Sequence, residues 1–427
     1  MQEQPPRITK CVARQILDSR GMSTIEVEIW SSYQEMSAKA AVPSGKSTGS
    51  NEAFEIRDAD GGVLNVIENV EKLIAPKIIG KIVDAEEIDH LMLALDITSN
   101  KKYIGANAML GVSMAMHRLE AKMRGMPLWQ FISKKGHFEV GKPRLYMNTL
   151  NGGAHADFRL PFQEYILVVG GETLAESNKK AQEVFQRVKE KLDSEKSEYY
   201  MGDEGGFAPR FEDIEKPFEI LSECIKNEND IFIAIDAAAS EFYKNGKYEI
   251  LGKQMSTGDL LMEYKSLVEK FNLRSIEDPF EEKDYDGFEK AVRWMGESVL
   301  IVGDDLTTTN PITIKKLGAR GLANAIIIKP NQIGTIFETF EAIREARNVG
   351  WKIIVSHRSG ETMDSFISDL AVGVGAYGIK AGAHTQPERL AKYDRLIEIE
   401  KEMAVSDEEE RIKREKEEER KKHLSYF

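Results

Sequence analysis

From Ile231 onward the chain repeats one pattern: a short run dominated by apolar, mostly β-branched residues stops at a charged residue and gives way to a segment of helical composition. IFIAI stops at Asp236, LRSI at Glu277, VLIVG at Asp304, AIII at Lys329, KIIVSH at Arg358 and AYGI at Lys380. The charged positions are 22 to 41 residues apart, room for a strand, a helix and two loops, which is the rhythm of parallel βα units. Continuous rather than alternating apolar runs mark strands covered on both faces. The pattern predicts an α/β fold whose sheet closes into a (β/α)8 TIM-type barrel. All six charged side chains then meet at the C-terminal rim, where such barrels carry their chemistry.

The first third reads differently. STIEVEIW (23–30) alternates polar and apolar as a half-buried antiparallel strand does, and MSAKAAV (36–42) is its expected partner. PSGKSTG (43–49) is expected to be a mobile loop able to close over a ligand. Val63, Val66, Ile67, Val70, Leu73 and Ile74 recur at helical steps, and Asn107 is read as the cap of a second helix ending at Arg124. RLYMNTL (144–150), QEYILVV (163–169) and YYMGDEGG (199–206) resume the strand signal. The expected units are a small α+β domain over 1–138, the barrel over 139–405, and a charged tail over 406–427 that is helical at most transiently or disordered.

Composition narrows the function. A formal net charge of −13 argues against nucleic acid or an anionic membrane as partner, so an anionic substrate needs its own local cations. Cys11 and Cys224 are the only cysteines and lack CxxC spacing, which fits a reducing compartment. No apolar run reaches the ~18 residues of a membrane span, and MQEQPPRITK lacks a signal-peptide core. The expected location is cytoplasmic.

The rim residues are the candidate site. Asp236, Glu277 and Asp304 would repel one another unless a hard divalent cation lies between them, and Mg2+ suits oxygen ligands with room for water and substrate. The plainer reading is that each caps the helix that follows. Lys329, leaving a buried run beside a metal, is expected to have a depressed pKa and to act as a general base; otherwise it only packs its stem. Glu164 and Glu204 are candidate acids with pKa values raised by neighbouring carboxylates. Their plainer readings are an outward strand residue and a turn residue before Gly205 and Gly206. SHRSGE (356–361) offers Arg358 and Ser359 in a Gly-flanked turn suited to phosphate, or is an ordinary polar loop. His155, in NGGAHADF, has a ligand-contact context, although an isolated histidine is more often structural. Gly45, Lys46 and Ser47 imitate the end of a phosphate-binding P-loop, but its first glycine position is Ala40 and Pro43 lies inside the cradle, which excludes that reading.

Taken together, LDSRG (17–21), PSGKSTG (43–49), NGGAHAD (151–157), QEY (163–165), GDEGGFAP (202–209), DAAASEFY (236–243), SIEDPF (275–280), GDDL (303–306), IIKPNQIGT (327–335), SHRSGET (356–362) and IKAG (379–382) resemble the enolase family, the phosphopyruvate hydratases. The resemblance runs from about Ala13 to Glu402. It implies a modified barrel that opens with two strands and two helices. It also implies reversible dehydration of 2-phosphoglycerate to phosphoenolpyruvate in glycolysis and gluconeogenesis, two Mg2+ per site, and a homo-oligomer, dimer or octamer. A Lys or His base working with magnesium is general chemistry of that superfamily. By family position Asp236, Glu277 and Asp304 hold the first ion, and Ser44 with the substrate phosphate the second. Lys329 takes the α-proton, and Glu204, aided by Glu164, protonates the departing hydroxyl. Lys380 holds the carboxylate, Arg358 and Ser359 hold the phosphate, and Gln163, His155 and His357 line the pocket. Met22, Lys46, Phe158, Pro330 and Ala381 depart from the usual family motifs. The alternatives are a paralogue acting on another 2-hydroxy acid, or a weakly active form with a binding or scaffold role.

Overall fold

The computed structural model describes residues 5–46, 49 and 51–424, with side chains to 406 and at 408. The N-terminal part is an antiparallel meander, β1 (Ile8–Leu17), β2 (Ser23–Ser31) and β3 (Ser37–Ala41), backed by helices. The β2–β3 pair is the one expected from the alternation; Ile25, Val27 and Ile29 face inward. The partner on the other edge of β2 is β1, which carried no clear alternation because only Ile8, Cys11 and Ala13 are buried along it. The helix Ala106–Met123 lies on this sheet so closely that a Cβ on Gly111 would stand 2.6 Å from Val27 Cγ2.

Two details differ from expectation. The segment 64–78 is helical, but residues Val70–Ile74 form a π turn between two short α segments. Val66, Val70 and Ile74, four apart, all point inward, and Pro76 has no N–H for the preceding turn, so the ladder re-registers there. Asn107 does not cap its helix: Gly105 does, and Asn107 Oδ1 accepts from the backbone N–H of Ile56 at 3.3 Å while its Nδ2 donates to Ile56 O at 3.0 Å.

The apolar runs close into a barrel. β4 (Arg144–Asn151) and β5 (Glu164–Val169) are antiparallel and are followed by the helices Leu174–Ser194 and Lys216–Cys224. Between those helices a hairpin, β6 (Tyr199–Met201) and β7 (Phe207–Pro209), hangs from β4; the strand expected over 199–206 stops at Met201 and turns at the glycines. β8 (Ile231–Asp236) is antiparallel to β5. A three-stranded excursion follows, β9 (Tyr243–Lys244), β10 (Lys247–Ile250) and β11 (Lys253–Met255). The parallel strands are β12 (Leu273–Glu277), β13 (Leu300–Gly303), β14 (Ala325–Ile328), β15 (Lys352–Ser356) and β16 (Gly378–Lys380), and β16 pairs with β4 to shut the ring. The fold is thus an eight-stranded barrel preceded by a small sheet-and-helix domain.

Alternation along the strands fills the barrel and then arms its rim. Tyr146, Ile166, Val168, Phe232, Ala234, Val302, Ala325, Ile327 and Ile354 pack together inside, separate from the larger core between barrel and helices. Two residues further along each inward row stand Asn148, Glu164, Asp236, Asp304, Lys329 and, beyond Ser356, Arg358. The apolar plug and the charged mouth are therefore one periodicity.

The tail also differs from expectation. One helix, Pro387–Leu424, runs through residues 406–424. Its first turns are anchored by buried Arg389, Lys392, Tyr393, Leu396 and Ile399, so the nucleation cost is already met and a segment of strong helix formers propagates. Among the described residues no helix is long and apolar enough to cross a membrane.

Candidate active site

The rim encloses a cavity of about 550 Å³, mouth included. It is lined by eleven of the residues singled out from the sequence: His155, Gln163, Glu164, Glu204, Asp236, Asp304, Lys329, His357, Arg358, Ser359 and Lys380. Glu277 joins them through Lys380. The Lys380 ammonium is 2.9 Å from Glu277 Oε2, 3.1 Å from Glu164 Oε2 and 3.2 Å from Asp236 Oδ2. Register explains the convergence, since Asp236 is the pairing partner of both Glu164 and Glu277. Glu164 starts its strand while Asp236 ends one, and the antiparallel run of β5 brings both to the same rim.

Lys329 Nζ is paired with Asp304 Oδ2, and Gln332 Nε2 donates to Asp304 Oδ1 at 2.9 Å. Arg358 donates from its two terminal nitrogens to the Glu52 carboxylate at 2.9 and 3.3 Å and to Asn331 Oδ1 at 3.0 Å. Across the cavity, His155 Nδ1 lies 3.7 Å from Glu164 Oε1 and 3.7 Å from Glu204 Oε1. Asn148 Nδ2 donates to Glu204 Oε2 at 2.9 Å. Gly205, at φ 81°, lets the chain turn directly after Glu204; a Cβ there would stand 2.1 Å from Thr385 Oγ1.

Proton affinities split the two acids. Glu164 is held well above the usual carboxylate range by burial and by the Glu204 charge, as expected. Glu204 goes the other way. Burial pushes it up, but His357, His155 and Arg389 pull it well below the usual range, so the pair holds one proton and not two. Lys329, expected to be depressed beside a metal, is pulled both ways: burial favours the neutral amine, but its ion pair with the Asp304 carboxylate outweighs burial and holds it above its ordinary value. Glu277 is pushed up to about 8, by burial and then by Asp236.

Ser44, expected to hold the second ion together with the substrate phosphate, is not among the residues that line the cavity. Its hydroxyl accepts from Arg57 at 2.8 Å and donates to Glu55 at 3.2 Å, and its backbone pairs with Gly360. A hydroxyl engaged by an arginine and a carboxylate anchors the loop to its own domain. The remaining loop hydroxyls, at 47 and 48, lie outside the described residues, as does most of the expected loop tip.

Orphaned polar atoms show what the site accepts. Glu277 Oε1, Gln163 Oε1 and His155 Nδ1 are buried without a hydrogen-bond partner, a cost normally relieved by water, metal or ligand. With Asp236, Glu277 and Asp304 at hand, the donor set is all oxygen and fits a hard divalent cation. Asp278, Asp304 and Asp305 form a tighter carboxylate group, with ligand atoms within 4.8 Å of one another. In Asp278 both oxygens accept backbone N–H groups, of Asp304 at 3.0 Å and Asp305 at 2.7 Å. Those two bonds shape the loop and leave each oxygen a further lone pair.

Sequence reasoning missed Glu52, Asp278, Asp305 and Arg389. The doubled acids in SIEDPF and GDDL were a visible signal for two of them. Arg389 was also marked, since it occupies the apolar stripe it shares with Lys392, Tyr393 and Leu396. Fully buried, it donates to Arg358 O at 2.6 Å, Ser359 O at 2.7 Å and His357 Nδ1 at 2.6 Å. A guanidinium only donates, so Nδ1 accepts and the ring proton sits on Nε2, which faces Glu204 Oε2 at 3.3 Å.

Residues 8–132 match the enolase N-terminal domain and residues 140–416 the enolase C-terminal TIM barrel domain. The chain belongs to the enolase family. It is 44% identical over 417 residues to a protein named enolase from Thermococcus gammatolerans, covering 94% of this chain and 96% of that one. It is likewise 44% identical over 420 residues to enolase B of Dictyostelium discoideum, covering 92% and 94%. Its departures at Phe158, Pro330 and Ala381 replace none of the residues that line the cavity. Pro330 opens the short helix Pro330–Ile333, and a residue before proline is restricted to extended backbone, which Lys329 adopts at φ −123°. Ala381 is buried and Phe158 is exposed.

Proposed function

We propose that this cavity carries out the dehydration of 2-phosphoglycerate to phosphoenolpyruvate, the hydro-lyase reaction of the enolase family, with Lys329 as base and the Glu164–Glu204 pair as acid. The observation that carries the assignment is topological. In the closed ring β14 lies four strands from β5, so Lys329 and Glu164 stand on opposite walls. Loss of a C2 proton from one side and a C3 hydroxyl from the other requires that placement.

Removing a proton beside a carboxylate builds a second negative charge. Lys380 supplies a buried cation for it, and Arg358 with Ser359 supplies the donors that a phosphate needs. Asp236, Glu277 and Asp304 would hold a magnesium ion, whose contribution when bound is neutralisation of that developing charge. Lys329 would accept the proton at Nζ as the neutral amine, the form that its burial and the neighbouring Arg358 and Lys380 charges favour and that the Asp304 carboxylate opposes. The proton held by the Glu164–Glu204 pair is available to the departing hydroxyl; His155, 3.7 Å from both, spans them. Gln163 donates to Asp236 at 3.3 Å and fixes the carboxylate. A second magnesium ion, a homodimer and a cytoplasmic location follow from the family resemblance and belong to the same proposal; buried, unpaired Cys11 and Cys224 agree with a reducing compartment.

Absorbance of phosphoenolpyruvate formed from 2-phosphoglycerate, with and without Mg2+, tests the assignment. Magnesium-dependent product is expected, and none from the unphosphorylated acid. No product at high enzyme concentration overturns it.

A further inference from the structure

Arg389 lies behind the cavity, outside its lining, and is fully buried. Besides His357 Nδ1 and the carbonyls of Arg358 and Ser359, its guanidinium reaches two further acceptors: Nε donates to Gln386 Oε1 at 3.2 Å and Nη2 to Asp203 O at 3.4 Å. Every N–H is thereby used, and none of the acceptors is a carboxylate. Among the described residues no acid pairs with Arg389 directly. A buried guanidinium without a counter-charge is costly, and the anion that answers this one is Glu204, reached through the His357 ring.

The ring is the link. Burial pushes His357 down to about 4, so it is neutral and has one N–H to place. With Arg389 donating to Nδ1, that proton is on Nε2, which is buried, makes no well-aligned hydrogen bond and faces Glu204 Oε2 at 3.3 Å. The opposite tautomer would set two lone pairs against each other there. The line is closely packed as well: a Cβ on Gly382 would stand 2.8 Å from Arg389 Cδ, 3.0 Å from Glu204 O and 3.1 Å from His357 Cε1. We propose that Arg389 is a positioning residue, which holds His357 in the Nε2–H tautomer and so makes the ring a donor aimed at Glu204 and not a proton acceptor. Its effect on turnover rests on the function proposed above; the tautomer does not.

Long-range proton–nitrogen correlation spectra of enzyme labelled with nitrogen-15 in its histidine rings read the tautomer, the His357 signals being assigned by their loss in His357→Gln. At neutral pH the parent should show Nε2 protonated and Nδ1 bare. Arg389→Lys, whose ammonium also only donates, should keep that tautomer and hold kcat on 2-phosphoglycerate within about threefold. Arg389→Gln, whose amide oxygen can accept, should shift the ring towards the Nδ1–H form and lower kcat about tenfold or more, part of the roughly 10²–10⁴ that a positioned general acid contributes. Both changes loosen the carbonyls of the phosphate turn, so KM should rise in both and only kcat should follow the tautomer. In the His357→Gln background, Arg389→Gln should lower kcat no further. A parent ring protonated on Nδ1, an unchanged tautomer in Arg389→Gln, or equal loss of kcat in the two variants would overturn the proposal. Where neither variant folds, the parent spectrum still decides the tautomer. Absence of turnover in the parent counts against the assigned reaction and leaves the spectra as the test of the tautomer.

Discussion

Lys329 illustrates how far single residues were readable. A lysine after four apolar residues announces a cation at the end of a buried strand, but not its charge state, which depends on a carboxylate 25 positions earlier in the chain. The same holds for Glu204. Its GDEGG context marks a turn, while its low proton affinity comes from His357, His155 and Arg389, distant in sequence. For Ser44 the difficulty is local: several hydroxyls share the loop, and this one is engaged by Glu55 and Arg57 of its own domain. Replacing Lys329 with alanine removes the proposed base but leaves Arg358 held by Glu52 and Asn331. Exchange of the substrate C2 proton with solvent deuterium, followed by NMR, should fall by about 10²–10⁴, the usual contribution of a general base. Binding of the phosphorylated substrate should change little. Exchange at the parental rate would remove Lys329 from its role.

At the scale of elements, the strands were legible because parallel barrel strands are continuous apolar runs, whereas β1 was not, since its burial is irregular. Helix starts were only partly legible, because a local cap can be joined by partners from other elements. The barrel helix Ile336–Asn348 is capped by Thr335, whose Oγ1 accepts from Glu338 N at 3.2 Å, and its first two N–H groups find partners in the first domain: Ser113 Oγ accepts from Ile336 N at 2.9 Å and Asp89 Oδ2 from Phe337 N at 3.0 Å. Ser113 Oγ also donates to Asp89 at 2.8 Å. This buried joint has an acid and, one turn along, a base. Burial pushes Asp89 up to about 7 and His117 down to about 4. His117 binds its proton more weakly folded than unfolded, so its stabilising contribution is full above pH 6.5 and is lost as pH falls towards 4. Asp89 binds its proton more tightly folded, so its contribution is lost as pH rises from 3.8 through 7. The two largely offset each other in the parent. His117→Leu should therefore lower the slope of unfolding free energy against pH by about 1.4 kcal/mol per unit between those values, read from urea melts at several pH values. An unchanged slope would mean that the ring is not buried neutral.

At the scale of the molecule, closure of the ring turns a list of strand ends into a site. β5 runs against its neighbours, so Glu164 reaches the rim from the start of a strand, and no reading of strand ends alone would have placed it opposite Lys329. The tail lies outside this logic. Its helix is tied to the barrel and, at Glu402, to the first domain: Glu400 accepts from the N–H groups of Leu174 at 2.7 Å and Ala175 at 3.0 Å, and Glu402 Oε2 accepts from Trp129 Nε1 at 2.9 Å. Arg395 adds a bidentate link to Asp369, with contacts of 2.9 and 2.7 Å. No residue after 402 supplies a group to the cavity among those described. Removal of residues 406–427 should leave kcat and KM within about twofold and the melting temperature within a few degrees, since the anchoring contacts named above all precede residue 403. Far-UV helicity should fall in proportion to the turns removed. Truncation before Leu396 instead removes the Glu400 cap, the Trp129 contact and buried Leu396 and Ile399 together, and should abolish folding at ordinary temperature. A large loss of activity in the 406–427 deletion, with folding intact, would show that the tail reaches the site or a partner that the site needs.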